Sequence, residues 1–451
     1  MSKDIRIKKG LDIKLKGEAE KTLEQAILSN FYTLRPEDFH GVIPKLIFKV
    51  GAKVKAGEPV FFDKSNENVK FVSPVSGEIV DIVRGEKRKI LSVKIQADKV
   101  QTYQDYGKFN LDAAKPNEVK AHLLATGCWP FVKQRPYDVI AKPDQSPKAI
   151  FISGYASAPL AADLDFTLQG KKAELQAAVT ALAKLTEGKV HISVGKNSNS
   201  PLANLSGATI HKVSGPHPSG NVGTQINKID PVNKGEVVWT VNPQDLVIIG
   251  ELLLTGKFNA ERIVALVGSL VEKPRYFKTK IASEIATMVY DKGIAKDAHA
   301  RLISGNVLSG KQVQPDGSLD YYSNVITIIP EGDDYEFFGW NKPIFNKIST
   351  SRAMTFSWLN PKKKYDLNTN TNGEHRAFVT TGTYEAVFPL DIYPMQLLKA
   401  CMYKDLDEME ALGMYEVAPE DFALTEFVCV SKQPHQKIIR DGLDLMLKEI
   451  G

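Results

Sequence analysis

His211 and His217, in HKVSGPHPSG, are the nearest histidine pair in the chain. A metal site needs a third and fourth nitrogen, sulfur or carboxylate donor. None of the right type stands nearby, so the segment reads as a surface loop. Gly154, Gly215, Gly220 and Gly223 follow strand-like runs and could bring backbone N–H groups to a phosphate. With no GxGxxG or GxxxxGK[ST] pattern and no clear acidic residue at the ribose-reading offset, turn formation explains them better. Cys128, Cys401 and Cys429 lie far apart and form no CxxC pair. That excludes a sequence-local iron–sulfur or zinc knuckle, offers no disulfide framework and suits a reducing compartment. Nor is there a GxSxG nucleophile elbow. Spacing alone therefore presents no self-contained active site.

The elements that would position such residues change character along the chain. Residues 42–97 read as short strands separated by glycines, with Leu91, Val93 and Ile95 alternating with polar neighbours, and predict a small all-β barrel or sandwich. PNEVKAHLLATG predicts a short helix closed by Gly127, and the CWPFVKQRPYDVIAKPDQSP that follows holds four prolines, which forbid a long regular element. From 148 the order is strand, helix and strand (KAIFIS, KKAELQAAVTALAKLTEGK, VHISV), a βαβ arrangement implying a parallel sheet, with Gly188 as the helix stop. In NPQDLVIIGELLLTG, Asn242 is placed to cap, Pro243 suits the first turn and Asp245 favours the helix N-terminus.

Residues 261–340 predict an α+β module: strand RIVALVG, helix KIASEIATMVYDKG, and strands HARLISG and SNVITIIPEG. Residues 360–376 are a polar loop by composition. The chain from 389 onward is helical, ending on a face of Ile439, Leu443, Met446 and Ile450.

At 451 residues, 43% hydrophobic and 25% charged, this is an ordinary folded chain of about three domains. Its 58 basic and 53 acidic side chains are interspersed, which gives no support to nucleic-acid binding. No secretory signal opens it, and the longest apolar runs, such as IVALVGSLV, reach about half the ~20 residues of a membrane span. The expectation is a cytosolic chain whose membrane role, if it has one, comes through partners.

DKSNENVKFVSPVSGEIVDI, residues 63–82, resembles a biotinyl or lipoyl carrier domain, in which a lysine at a hairpin tip is modified. Lys64 stands where that lysine would be. The hairpin reads as longer and more polar than a carrier's tip, and Ser65 and Asn66 replace the usual small apolar residue, so a structural copy of the scaffold is the preferred reading.

Longer motifs resemble one family from end to end: IKKGLD (7–12), SPVSGEIVDIVRGEKRKILSV (73–93), HPSGNVGTQINKIDPV (217–232), RLISGNVLSG (301–310), FFGW (337–340), NGEHRAFVTTGTYEAVFPLDIYPMQLLKA (372–400), EALGMYEVAPEDFALTEFVCVSK (410–432) and RDGLDLMLKEIG (440–451). They are similar to the NqrA family, the A subunit of the Na+-translocating NADH:quinone reductase. More distantly, the chain is similar to the C subunit of the Rnf complex and the 51 kDa subunit of complex I.

The resemblance implies an α+β multidomain chain. Residues 1–105 would be an N-terminal segment and barrel-sandwich (lipoyl-like) domain, 106–147 an aromatic and proline-rich connector, and 148–260 a Rossmann-like α/β domain. Residues 261–340 would be a β-grasp domain of the soluble-ligand-binding (SLBB) type, and 341–451 the polar loop and a helical C-terminal domain. The Rnf relative's cluster cysteines are reduced here to Cys429, which implies no iron–sulfur ligands, and the missing glycine-rich loop says the same of flavin. Flavins and clusters would then lie in five partner subunits, some of them integral to the membrane. No covalent cofactor is expected, and the chain would sit on the cytoplasmic face of the bacterial inner membrane.

The family link to quinone binding and assembly implies ubiquinone or menaquinone as a possible substrate. A quinone site needs apolar walls and one or two donors. In DFHGVIPKL, Phe39 could stack and His40 could donate. In WPFVKQRPY, Trp129, Phe131 and Tyr137 offer walls and Arg135 a permanent donor. The same aromatics would equally fill domain contacts or dock a membrane subunit. The alternatives are a carrier modified on Lys64, a scaffold without ligand, and a Rnf-type subunit.

Overall fold

The computed structural model describes residues 2–25, 28–289, 299–333, 336–339, 347–348, 350, 359–379 and 382–451. Among these, the largest sheet has seven strands in the order Asp4–Arg6, Thr209–Ser214, Lys189–Gly195, Ala149–Gly154, Val238–Thr240, Lys133–Arg135 and Val139–Ile140. The first five are parallel; Lys133–Arg135 runs antiparallel to them, and Val139–Ile140 antiparallel to it. Side chains of a strand alternate between faces. In Ala149–Gly154, Ile150 and Ile152 accordingly face helices Lys172–Ala183 and Pro243–Thr255, while Ala149 and Phe151 pack with Ile226 and Ile229 of helix Val222–Ile229. The proline-rich connector thus supplies a two-strand antiparallel edge, its strands only three and two residues long as four prolines require.

Two smaller sheets form the all-β unit. Strands Phe31–Leu34, Ile90–Ala97, Gly77–Arg84 and Lys53–Val54 make one, and Pro44–Leu46, Pro59–Asp63 and Asn66–Val72 the other. Phe61 and Phe71, paired across neighbouring strands of the second sheet, stack at 4.7 Å. The hairpin bearing Lys64 is tighter than its composition suggests. Asp63 pairs with Asn66, leaving Lys64 and Ser65 as the turn, and the Asp63 carboxylate accepts from the Ser65 hydroxyl (2.5 Å) and from Ile43 N–H (3.2 Å).

A six-stranded mixed sheet follows, ordered Lys311–Gln312, Ala300–Ser304, Val325–Pro330, Glu261–Val267, Arg275–Lys280 and Leu23–Gln25. The expected helix over KIASEIATMVYDKG is corrected here. Among the described residues only Ala286–Val289 is helical, residues 290–293 lie outside them, and the strand Arg275–Lys280 before it was hidden by its lysines and arginine. The C-terminal region is helical, as expected, with Ile439, Leu443 and Met446 buried; Ile450 caps the last helix and is 47% exposed. Of the FFGW motif, residue 340 lies outside the described residues.

The first 34 residues visit every unit. Asp4–Arg6 joins the seven-stranded sheet, Leu15 bridges to Tyr365, Leu23–Gln25 joins the six-stranded sheet, and Phe31–Leu34 enters the barrel. Gly10 and Gly17 allow this path. A Cβ on either would meet a carbonyl oxygen, of His217 or Gly268, at 2.1 Å.

Candidate functional site

The units meet around a cleft of about 590 Å³. Its floor is the C-terminal end of the parallel strands, where Ser153 stands near the end of one strand and Thr240 at the end of its neighbour, at the point where strand order reverses. Open α/β sheets bind ligands at that place. Phe131, Leu164, Val241 and Tyr322 give it apolar wall.

Of the six residues expected to bind quinone, three line this cleft: His40, Phe131 and Arg135. The others are core. Trp129 is fully buried, donates from its indole to Ala141 O at 2.7 Å and meets Trp239 edge-on at 5.3 Å. Phe39 is 2% exposed, packed on Phe71 at 4.3 Å and Tyr321 at 4.7 Å. Tyr137 packs into the C-terminal helical core with Phe388 and Leu397.

Nor is Arg135 a free donor. Its guanidinium is 2% exposed and gives Nη1 to Asp421 (2.6 Å) and Nη2 to Glu420 (2.8 Å). Burial works against the charge, but these carboxylates outweigh it and raise the Arg135 pKa further. His40 is likewise occupied, its Nε2 lying 2.7 Å from Asp444 of the last helix.

A further donor in the lining is Lys133, two residues back on the same strand and hence on the same face. Its ammonium sits 4.4 Å over the Tyr322 ring and makes no direct salt bridge among the described residues, although its charge helps hold Asp138 below the usual carboxylate range against burial. Beside it, Asp38 and Asp320 share Arg35, and Asp38 also accepts from Tyr321 N–H at 3.1 Å. Burial raises Asp38 to about 6, with Arg35 opposing and Asp320 adding to the shift, so an acid near neutrality lines the cleft. Sequence reasoning passed over these residues. Lys133 was legible from the alternation in KQR, whereas residues 38 and 320 meet only in the fold.

The glycine and histidine readings are also revised. Gly215 has a positive φ of 136°, as a turn glycine should. Gly220 and Gly223 mark close approaches instead: a Cβ on Gly223 would lie 2.4 Å from both Arg135 and Asp421. Asp421 therefore sits against the first turn of helix Val222–Ile229, where an anion is favoured. His211 and His217 are not surface residues but 1% and 3% exposed. Lys3 N–H donates to His211 Nδ1 (3.1 Å), so His211 Nε2 carries its proton towards His191 Nδ1 (2.9 Å). His217 Nδ1 lies 3.1 Å from the Ser157 hydroxyl. Gly188 is no helix stop; it abuts Lys148 O at the next strand. Asn242 occupies the cap position but turns its amide to Asp245 at 3.3 Å. No metal-holding group of His, Cys, Asp and Glu is found among the described residues.

Three family profiles match: "NqrA N-terminal barrel-sandwich hybrid domain" over residues 5–98, "NqrA second alpha/beta domain" over 114–258 and "NQRA C-terminal domain", of SLBB type, over 263–315. The Na(+)-translocating NADH-quinone reductase A subunit of Hahella chejuensis is 36% identical, covering 99% of this chain and 100% of its own. That of Neisseria meningitidis is 37% identical with the same coverage.

The chain belongs to this NqrA family. An NAD+-reducing [NiFe]-hydrogenase chain is similar at 9% identity and a TM-score of 0.34, over 51% of this chain and 52% of that one. All three regions that match NqrA domains border the cleft, through His40, Lys133 and Lys311 respectively. No described helix is long and apolar enough to cross a membrane.

Proposed function

We propose that this chain is the peripheral, cytoplasmic-face subunit of a Na+-pumping NADH:quinone reductase. It serves assembly and contributes to quinone reduction, while NADH oxidation, flavins and clusters reside in the five partner subunits. The Rossmann-like sheet supplies the binding edge, and the isolated chain has no turnover. One observation carries the quinone reading: a cleft with aromatic and aliphatic wall holds an ammonium, Lys133, that has no direct salt bridge among the described residues and lies over an aromatic ring. A quinone presents the complementary surface, an apolar ring with carbonyl acceptors. Phe39, Trp129 and Tyr137 then act behind the site, fixing the units that enclose it, and Arg135 holds its floor to the C-terminal helices.

The test is Lys133→Gln in the assembled complex. The quinone KM should rise several-fold while electron transfer from NADH to an artificial acceptor stays intact. Unchanged quinone kinetics would leave the chain a scaffold.

A further inference from the structure

The hairpin Gly77–Arg84 and Ile90–Ala97 outruns its sheet. On one side Phe31–Leu34 pairs no further than Val93; on the other, Lys53–Val54 pairs only with Gly77 and Glu78. Beyond Val93 the two strands pair only with each other, out to Arg84 and Ile90. This extension spans about 10 Å and stays seated on the body through Ile90, 7% exposed in the main core, and half-buried Ile82, so that its tip alone is free. Its tip carries Arg84, Lys87, Arg88 and Lys89 against the single acid Glu86, all exposed. Among the described residues none of the four cations is ion-paired; Arg84 only donates to the Arg88 carbonyl at 3.2 Å. Lys87 and Arg88 both stand at positive φ, 52° and 62°, where glycine would be easier. Val83 and Leu91, each 41% exposed, flank the tip.

Unpaired cations on an exposed hairpin tip flanked by aliphatic side chains complement a surface of dense negative charge over an apolar layer. We infer that this hairpin tip docks on anionic phospholipid headgroups, anchoring the subunit to the bilayer beside its partners. The inference rests on the peripheral placement proposed above.

The test is co-sedimentation of the full chain with phosphatidylglycerol-containing and with pure phosphatidylcholine vesicles, at low and high salt. Binding should require the anionic lipid, weaken with salt, and fall roughly a hundredfold in Lys87→Glu/Arg88→Glu/Lys89→Glu, at about a fivefold loss per cation. The unfolding temperature of this variant should match that of the parent, since the side chains touch no core. The milder Arg84→Gln/Lys89→Gln variant should fall between. Absence of binding, equal binding to phosphatidylcholine, or binding indifferent to the tip charges overturns the inference. So does a tip variant that keeps vesicle binding but no longer co-purifies with the complex, which would make the tip a protein contact. Membership of the complex is read separately, by co-purification of the unaltered chain.

Discussion

Arg135 and Asp421, 286 residues apart in sequence, form a buried ion pair at 2.6 Å that joins the sheet edge to the C-terminal helices. Removing one partner from such a pair strands the other charge, which costs roughly 3–5 kcal/mol, whereas replacing both by apolar side chains is often neutral. Asp421→Leu should therefore unfold at markedly lower denaturant, and Arg135→Met/Asp421→Leu should recover most of the loss. Equal destabilisation of the single and double variants would show that the carboxylate acts through its contact with Ala418 N–H (2.9 Å) instead.

Trp129 is tested by stability before kinetics. Fully buried against Trp239, it should cost about 3–5 kcal/mol as alanine. As phenylalanine it loses the bond to Ala141 O and some volume, about 1–2 kcal/mol. A Trp129→Phe complex with unaltered quinone KM supports its place behind the cleft; a KM effect at full stability would bring it into contact with substrate.

Acid should weaken the fold through its buried histidines. Burial lowers His217 and His435 to about 4, and burial with the neighbouring His211 does the same to His191. Their folded values lie below the unfolded ~6.5, so the unfolded chain takes up protons first. Stability is fully present above about pH 6.5 and is lost as pH falls towards 4. His435→Phe removes one such group, which meets Tyr384 edge-on at 4.8 Å and lies tilted to Phe378 at 5.6 Å. It should flatten the slope of unfolding free energy in that window by up to about 1.4 kcal/mol per pH unit. An unchanged slope would mean that His435 is already protonated in the fold.

Lys280 carries the opposite expectation for a substitution. Burial lowers it to about 8, with Glu261 and Glu251 partly opposing; among the described residues its ammonium has Pro74 O and Gln101 at 3.5 Å and the Tyr103 ring at 5.4 Å. The folded value lies below the unfolded one, so the penalty is complete at pH 7 and fades as pH rises through about 8 to 10.5. Lys280→Met should raise the unfolding temperature at pH 7 by a few degrees, with the gain shrinking by pH 10. A variant less stable at pH 7 would mean that the cation–π contact outweighs desolvation.

The sequence made local pattern legible and left convergence hidden. The helix face of KKAELQAAVTALAKL and the turn at Gly127 depend on neighbours within one element and appear as read; of the alternation in KILSVKI, Val93 and Ile95 are buried but Leu91, next to a register shift, is 41% exposed. The strand Arg275–Lys280 was missed because its charged side chains look like a solvated loop and it shows no alternation: the adjacent Tyr276 and Phe277 are buried on opposite faces. Aromatic composition drew attention to WPFVKQRPY, but whether a ring faces a ligand or a core depends on what packs over it. For Trp129 that is Trp239, and for Phe39 it is Tyr321, neither near in sequence. Arg135 was expected to be a donor and is one, but its acceptors come from residues 420 and 421.

The path of the first 34 residues bears on how the protein is made. Ribosomes release the N-terminus first, yet Ile5 pairs with Val213, Leu15 with Tyr365 and Tyr276 with Leu23. This strand must wait, unpaired and open to chaperones, until most of the chain has emerged. Its contacts are among the most non-local in the molecule, and closing such loops is slow. Pairing of this early segment thus comes late, sewing together units already built.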